Sequence, residues 1–166
     1  MKSCLVRELK NTDTEALLSF EVQNRAWFES HIDARDPSFY SAGGVNDHIE
    51  DYLSRYATGT WHPFVIESTD RQIIGRANLK DINPNNGCAE VGYRVAYQAV
   101  GQGIATQALM HLIQAARGRW KLKQLIAYVY PTNVGSKKVL GRCGFITDSK
   151  STDEDADQEC RFVLAL

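Results

Sequence analysis

The sequence is poor in the features that mark several protein classes. Its four cysteines, Cys4, Cys88, Cys143 and Cys160, form no CxxC pair, and its four histidines, His31, His48, His62 and His111, show no paired spacing. Metal centres of the zinc type need closely spaced ligand pairs, so no metal is expected, and the thiols read as small packed hydrophobes. Twelve glycines and four prolines are too few for a disordered or collagen-like chain. No apolar run approaches the roughly 18 residues of a membrane span. At the N-terminus, Met1-Lys2-Ser3-Cys4-Leu5-Val6-Arg7-Glu8 returns to charge before a signal-peptide core could form, so a cytoplasmic protein is expected. Nineteen basic against twenty acidic side chains give a net charge of -1, which excludes a whole-surface basic coat for nucleic acid. What remains is an ordinary globular composition, 43% hydrophobic and 23% charged, in 166 residues without repeat or linker. One domain over 1–166 is expected.

Hydrophobic spacing supplies the elements. Residues 5–9 read as an opening strand, and Thr12 or Asp13 can cap a helix carrying Ala16, Leu17, Phe20, Trp27 and Phe28. Asp36-Pro37 and Gly43-Gly44 bracket a loop, followed by a second amphipathic helix through Ile49, Tyr52, Leu53 and Tyr56. The period then shortens to that of strands. Residues 64–66 and 73–82 flank a turn at 69–72, and 88–96 returns from the strong turn Asn83-Pro84-Asn85-Asn86-Gly87. Ile104, Ala105, Ala108, Leu109, Leu112, Ile113 and Ala116 define one face of a helix over 103–119. Residues 125–130 read as a buried strand, 133–142 as a short helix ended by Gly144, and 145 onward and 161–166 as two last strands. The order β-α-α-β-β-β-α-β-α-β-β predicts an α+β domain around one mixed, mostly antiparallel sheet flanked by helices.

The segment Gln98-Ala99-Val100-Gly101-Gln102-Gly103 stands between a strand and a strong helix. Glycines let the backbone turn tightly and approach an anion, and free amides at the helix start would hold phosphate oxygens. The segment is neither a dinucleotide fingerprint, since Thr106 stands where a third glycine belongs, nor a P-loop, since no Gly-Lys-Ser/Thr follows. By itself it is equally a turn from strand to helix.

Residues 73–145 as a whole resemble the GNAT family of acetyl-CoA-dependent N-acetyltransferases. The glycine segment matches the Q/RxxGxG/A motif, preceded by Ala89-Glu90-Val91-Gly92-Tyr93. Asn133-Val134-Gly135-Ser136-Lys137-Lys138-Val139-Leu140, with Gly144-Phe145, is similar to the pattern of the RimJ/RimL branch, whose members acetylate ribosomal-protein N-termini. Asn24 to Glu29 and Ser38-Phe39-Tyr40 also look like that branch. The resemblance implies the GNAT fold and acetyl-CoA as cosubstrate. It places the pyrophosphate on Gln98, Val100, Gly101, Gln102, Gly103, Ile104 and Ala105. The pantetheine arm falls between two splayed strands near Tyr93, with a main-chain amide near Val95 polarising the thioester. Asn133 would bind the pantetheine or cap its helix, and both roles are compatible.

An ammonium has no lone pair, so transfer to an amine needs a proton acceptor and a donor for the departing thiolate. Glu90 is the candidate base, against the plain alternative of an exposed strand glutamate. Leu140 stands where many family members carry the tyrosine acid, which shifts that role to Ser136, alternatively a residue bonding backbone or coenzyme. Cys143 has no histidine beside it in sequence, so direct transfer is expected rather than an acyl-cysteine. Lys137, Lys138 and Arg142 either meet the 3′-phosphate or form a solvated face, and the histidines read as surface or interfacial residues. The acids of residues 148–159 form a solvated tip or attract a cationic substrate. The expected function is acetyl transfer to a protein N-terminal α-amine. A small-molecule amine (polyamine, aminoglycoside, amino acid) and a non-catalytic coenzyme-A-binding regulator are the alternatives. A monomer or homodimer without nucleic acid or membrane partners is expected.

Overall fold

In a computed structural model, which describes residues 1–148 and 159–166, seven strands form one sheet. The strands are β1 (Leu5–Glu8), β2 (His62–Glu67), β3 (Ile73–Asn83), β4 (Cys88–Val95), β5 (Gln124–Val129), β6 (Ile146–Thr147) and β7 (Cys160–Ala165). They lie in the order β1-β2-β3-β4-β5-β7-β6. Every neighbouring pair is antiparallel except β4 with β5. The helices are α1 (Thr14–Gln23), α2 (Arg25–Glu29), α3 (Ala42–Ala57), α4 (Ile104–Gly118) and α5 (Val134–Arg142). The mixed, mostly antiparallel sheet is as expected, and so is the order of elements, except that the first expected helix is divided into α1 and α2.

Strand alternation divides the core between the two faces of the sheet. On one face Phe64, Ile66, Ala77, Leu79, Ala89, Val91, Leu125 and Ala127 meet Ala108, Leu109 and Leu112 of α4. On the other, Val65 and Ile73 meet Leu17 and Phe20 of α1 and Val45 and Ile49 of α3. Ile104, Ala108, Leu112 and Ala116 repeat every fourth residue and are at most 1% exposed. That stripe fixes α4 against β3 and β4, each full-sized side chain contributing about 1.5–3 kcal/mol by burial.

Three local expectations are corrected. Asp13 does not cap α1; its carboxylate receives both terminal nitrogens of Arg7 and the Lys10 amide. The first helix does not run unbroken to Phe28. It stops at Asn24, whose side chain donates to the Phe20 carbonyl and accepts from the Tyr97 amide, so α2 leaves at a new angle. Gly43 and Gly44 lie inside α3 rather than in a loop. Ser41 caps the Gly44 amide, and a side chain at Gly44 would run into the Ser38 carbonyl and the Phe39 backbone. The glycine is there for close approach.

Two of the histidines, His62 and His48, differ from a surface placement, while His31 is exposed. His62 is 3% exposed, held between Glu8 and the Trp120 indole, and His48 meets Arg76. The thiols of Cys4, Cys88 and Cys143 are free, and Cys160 is buried in the core as expected of a small hydrophobe. Of the acidic segment, Asp148 is paired with Arg161, while Asp153, Glu154, Asp155 and Asp157 lie outside the described residues. Among the described residues no helix is long and apolar enough to cross a membrane.

Candidate active site

The two parallel strands stay together only briefly. β4 and β5 pair from Cys88–Gln124 to Glu90–Ile126, and beyond that each follows its outer neighbour. β4 remains on β3 as far as Val95, and β5 on β7 as far as Val129. The Ala96 amide donates to Ile74, so the even-numbered residues of β4 bond toward β3. By alternation the main-chain groups of Tyr93 and Val95 face the gap left by β5. The Val95 carbonyl there accepts from the Trp27 indole at 3.3 Å. The gap is part of a cleft of about 570 Å³.

One wall is the segment that follows β4. Gly101 and Gly103 have φ of +76° and +77°, values in the left-handed region that glycine tolerates. They turn the chain so that α4 points its first turn into the cleft. No side chain caps α4, and the amides of Ile104, Ala105 and Thr106 have no acceptor within the helix. A Cβ on Gly101 would meet nothing within 4 Å, so this glycine borders open space. Val100, Gly101, Gly103, Ile104 and Ala105 line the cleft as expected. Gln98 and Gln102 do not; the Gln102 side chain donates to the Gln98 carbonyl at 2.7 Å and ties the loop to itself.

The facing wall is the start of α5. Asn133 caps it, its side chain accepting from the Ser136 amide at 3.1 Å. Asn133 and Ser136 both line the cleft, as does Tyr93, whose hydroxyl donates to the Ser136 carbonyl at 3.4 Å. Burial pushes the Tyr93 phenol up to about 12, so it stays protonated through the neutral range. Leu140 is fully buried and offers no hydroxyl. Lys138 and Arg142 reach the cleft one and two turns along α5, while Lys137 does not. These cations and the free amides suit a phosphate-headed ligand.

The third wall comes from α2 and the residues after it. Trp27, Phe28, His31 and Ile32 line the cleft opposite the glycine loop, and Arg94 completes that side. Arg94 Nη2 donates to Glu21 at 2.8 Å, and its guanidinium lies 4.9 Å from the Phe28 ring centre. Arg94 and His31 carried no site signal in the sequence; the alternation of β4 placed Arg94 on the face opposite Tyr93 and told nothing of its partners.

Glu90 is not brought into this wall. It sits where β4 and β5 are still paired, on the face opposite Ala89 and Val91, with its carboxylate 2.6 Å from the Lys80 ammonium. Among the described residues no carboxylate and no cysteine lines the cleft, and no group of three or more His, Cys, Asp or Glu is placed to hold a metal.

A parted parallel pair, unpaired strand amides and a helix start open to anions define a site for a long ligand with a phosphate head and an amide-bearing arm, which is the chemistry of coenzyme A. The sequence pattern described as the acetyltransferase (GNAT) domain matches residues 4–146. "Probable N-acetyltransferase YjcK" of Bacillus subtilis (strain 168) is 31% identical over 146 residues, 87% of this chain and 81% of that protein. The "Ribosomal-protein-serine acetyltransferase" of Escherichia coli (strain K12) is 28% identical over 127 residues, 76% of this chain and 69% of that one. Among solved structures, Mycobacterium smegmatis RimJ in complex with CoA-disulfide superposes with a TM-score of 0.87 at 21% identity, covering 99% of this chain and 82% of the other. The chain belongs to the GNAT family and is an acetyl-CoA-dependent N-acetyltransferase.

Proposed function

We propose that the acceptor is the α-amine of a protein N-terminus and that acetyl passes to it directly, within one ternary complex. The observation that carries this reading is the parting of β4 from β5, which leaves the Tyr93 main chain and the Val95 amide without a strand partner where an amide-bearing arm and a thioester would lie, the Val95 carbonyl being held by the Trp27 indole. Acetyl-CoA supplies the activated acetyl group. The open amides of α4 and the Lys138 and Arg142 side chains hold its phosphates, and Asn133 borders the arm. The Val95 amide polarises the carbonyl that the amine attacks. Ser136, whose hydroxyl stands at the first turn of α5, gives a proton to the departing thiolate. Glu90 lies outside the wall, so a proton that it takes from the amine travels through water. Cys143 is outside the cleft and burial raises its thiol, which supports transfer without an acyl-enzyme. The protein acceptor is supported by the Escherichia coli relative, which is named for a ribosomal protein.

A thiol-release assay with acetyl-CoA tests this on peptides beginning with Ser or Ala, polyamines, aminoglycosides and free amino acids, with coenzyme binding measured alongside. Turnover on the peptides is expected. Turnover confined to small amines would replace the acceptor, and coenzyme binding without turnover on any amine would mark a binding-only protein. A Glu90→Gln variant with an unaltered pH–rate profile would remove Glu90 as the base.

A further inference from the structure

Behind the wall formed by α2, the described residues bury more positive charge than they neutralise. Glu21, 1% exposed on α1, receives both Arg76 Nη1 at 2.9 Å and Arg94 Nη2 at 2.8 Å through one oxygen. Arg76, with 2% of its side chain exposed, donates its other terminal nitrogen to His48 Nε2 at 2.8 Å. Guanidinium only donates, so His48 accepts there and is neutral. Arg35, on the connection between α2 and α3, adds a third guanidinium, stacked 4.5 Å over Phe39 and close enough to act electrostatically on both His48 and Arg94. Arg76 and Arg94 therefore share one carboxylate, and among the described residues Arg35 has no ion pair of its own.

The hydrogen bonding is incomplete as well. The Nε atoms of Arg76 and Arg35 are buried without a partner among the described residues. Among the described residues Arg94 donates through Nη2 alone, to Glu21, and it lines the cleft. The rings of Phe28 and Tyr52 that lie over Arg94 and Arg76 soften the repulsion but carry no charge. Clustered like charges out of water are costly, and the usual resolution is a further anion bound by the guanidinium fork.

We propose that the acceptor carries a carboxylate near its amine, and that this carboxylate seats on Arg94 with Arg35 and Arg76 behind it. The inference rests on the reading of the cleft as the site of acetyl transfer and narrows its substrate to an amine bearing an anion; a polyamine or aminoglycoside is disfavoured. Burial first, with Arg76 and Arg35 adding to it, pulls Arg94 down to about 9 against the opposing pull of Glu21, as expected for a cation short of counter-charge. The carboxylate has two sources, an acidic residue early in a protein N-terminus or the α-carboxylate of a small amino compound.

Two measurements test it. In the first, the thermal midpoint of the wild-type protein is followed in succinate and in neutral succinamide, at ionic strength matched with sodium chloride. Succinate is expected to stabilise and succinamide not, and Arg94→Gln should abolish the difference. Arg35→Gln, half-buried on the connection between α2 and α3 and outside any ion pair among the described residues, should reduce it and serves if the Arg94 variant does not fold. In the second, kcat/KM is compared for peptides starting Ser-Glu and Ser-Gln, and for serine and serinamide. The acidic member of one pair is expected to lead by about tenfold or more, the worth of a charge-assisted hydrogen bond, and which pair shows it identifies the source. Equal midpoints in succinate and succinamide, or turnover without preference in both pairs, would overturn the proposal while leaving acetyl transfer standing. Failure to bind acetyl-CoA would overturn the transferase reading, and the succinate comparison would still decide the anion site.

Discussion

The two sides of the cleft are built on opposite plans. The coenzyme side is main chain: strand edges that have lost their neighbour, a glycine turn and the first amides of α4. The acceptor side is side chain: three arginines, one glutamate and a neutral histidine drawn from α1, α3, β3, β4 and the connection before α3. A wall of amides is held by the backbone of the surrounding elements, so substitutions there should cost binding and spare the fold. A wall of buried charges is part of the packing, so substitutions there should cost the fold first.

The sharpest test of that contrast is Glu21→Gln. Removing the carboxylate they share leaves Arg76 and Arg94 facing each other without compensation, and the loss expected is about 3–5 kcal/mol. Urea unfolding at neutral pH measures it. A loss near that of a surface substitution would mean that the cluster is well solvated, and the contrast between the walls would fail. On the coenzyme side, Gly101→Val should do the reverse. The side chain enters open space, so the fold survives with a strained φ, but its bulk lies on the same cleft wall as the first turn of α4. Denying a phosphate two charge-assisted main-chain bonds should weaken acetyl-CoA about a thousandfold by calorimetric titration. Unchanged affinity would take the glycine loop out of the coenzyme site.

Ser136→Ala sharpens the comparison within the coenzyme side. Asn133 caps the Ser136 amide and not its hydroxyl, so helix and coenzyme affinity should persist while kcat falls about a hundredfold. A kcat close to wild type would assign the proton to another donor, with the Tyr93 hydroxyl next in reach of α5.

The same division explains what the sequence could show. The coenzyme side is written in contiguous runs, residues 93–106 and 133–142, whose glycines and cap report local backbone needs. Strand and helix periods likewise located the sheet and α4. The breaks came where a distant group decides a local shape. Asn24 ends α1 because the Tyr97 amide, far along the chain, occupies its oxygen. Gly44 belongs to a helix because the backbone of Ser38 and Phe39 leaves no room for a side chain. Glu21 looked like one more acid on an amphipathic helix; its value depends on Arg76 and Arg94, which only the folded register of β3 and β4 brings together. Glu90 is the converse: its position in the strand could be read, but its pairing with Lys80 across that register could not.

The pH dependence of stability gives the finest test of the acceptor side. Burial, then the positive charge of Arg76, Arg35, Arg94 and Arg55, drives His48 from its ordinary 6.5 to about 2. The unfolded chain takes up a proton at this residue as pH falls through about 6.5, while the folded protein refuses it until far lower. The unfolded state therefore binds more protons in that interval, and stability drops as the solution is acidified, by ~1.4 kcal/mol per pH unit for this one site once well below 6.5. His62 and His111 are also lowered, chiefly by burial, and steepen the wild-type limb in the same direction. His48→Gln isolates one contribution, because an amide oxygen can still accept from Arg76 but cannot titrate. Between pH 6.5 and 5 its unfolding free energy should fall less steeply than wild type, by half a proton's worth at about 6.5 rising toward one near 5, with little change at pH 8. Parallel acid limbs would show that His48 titrates alike in both states, and hence that the arginines around it are already neutralised without any ligand.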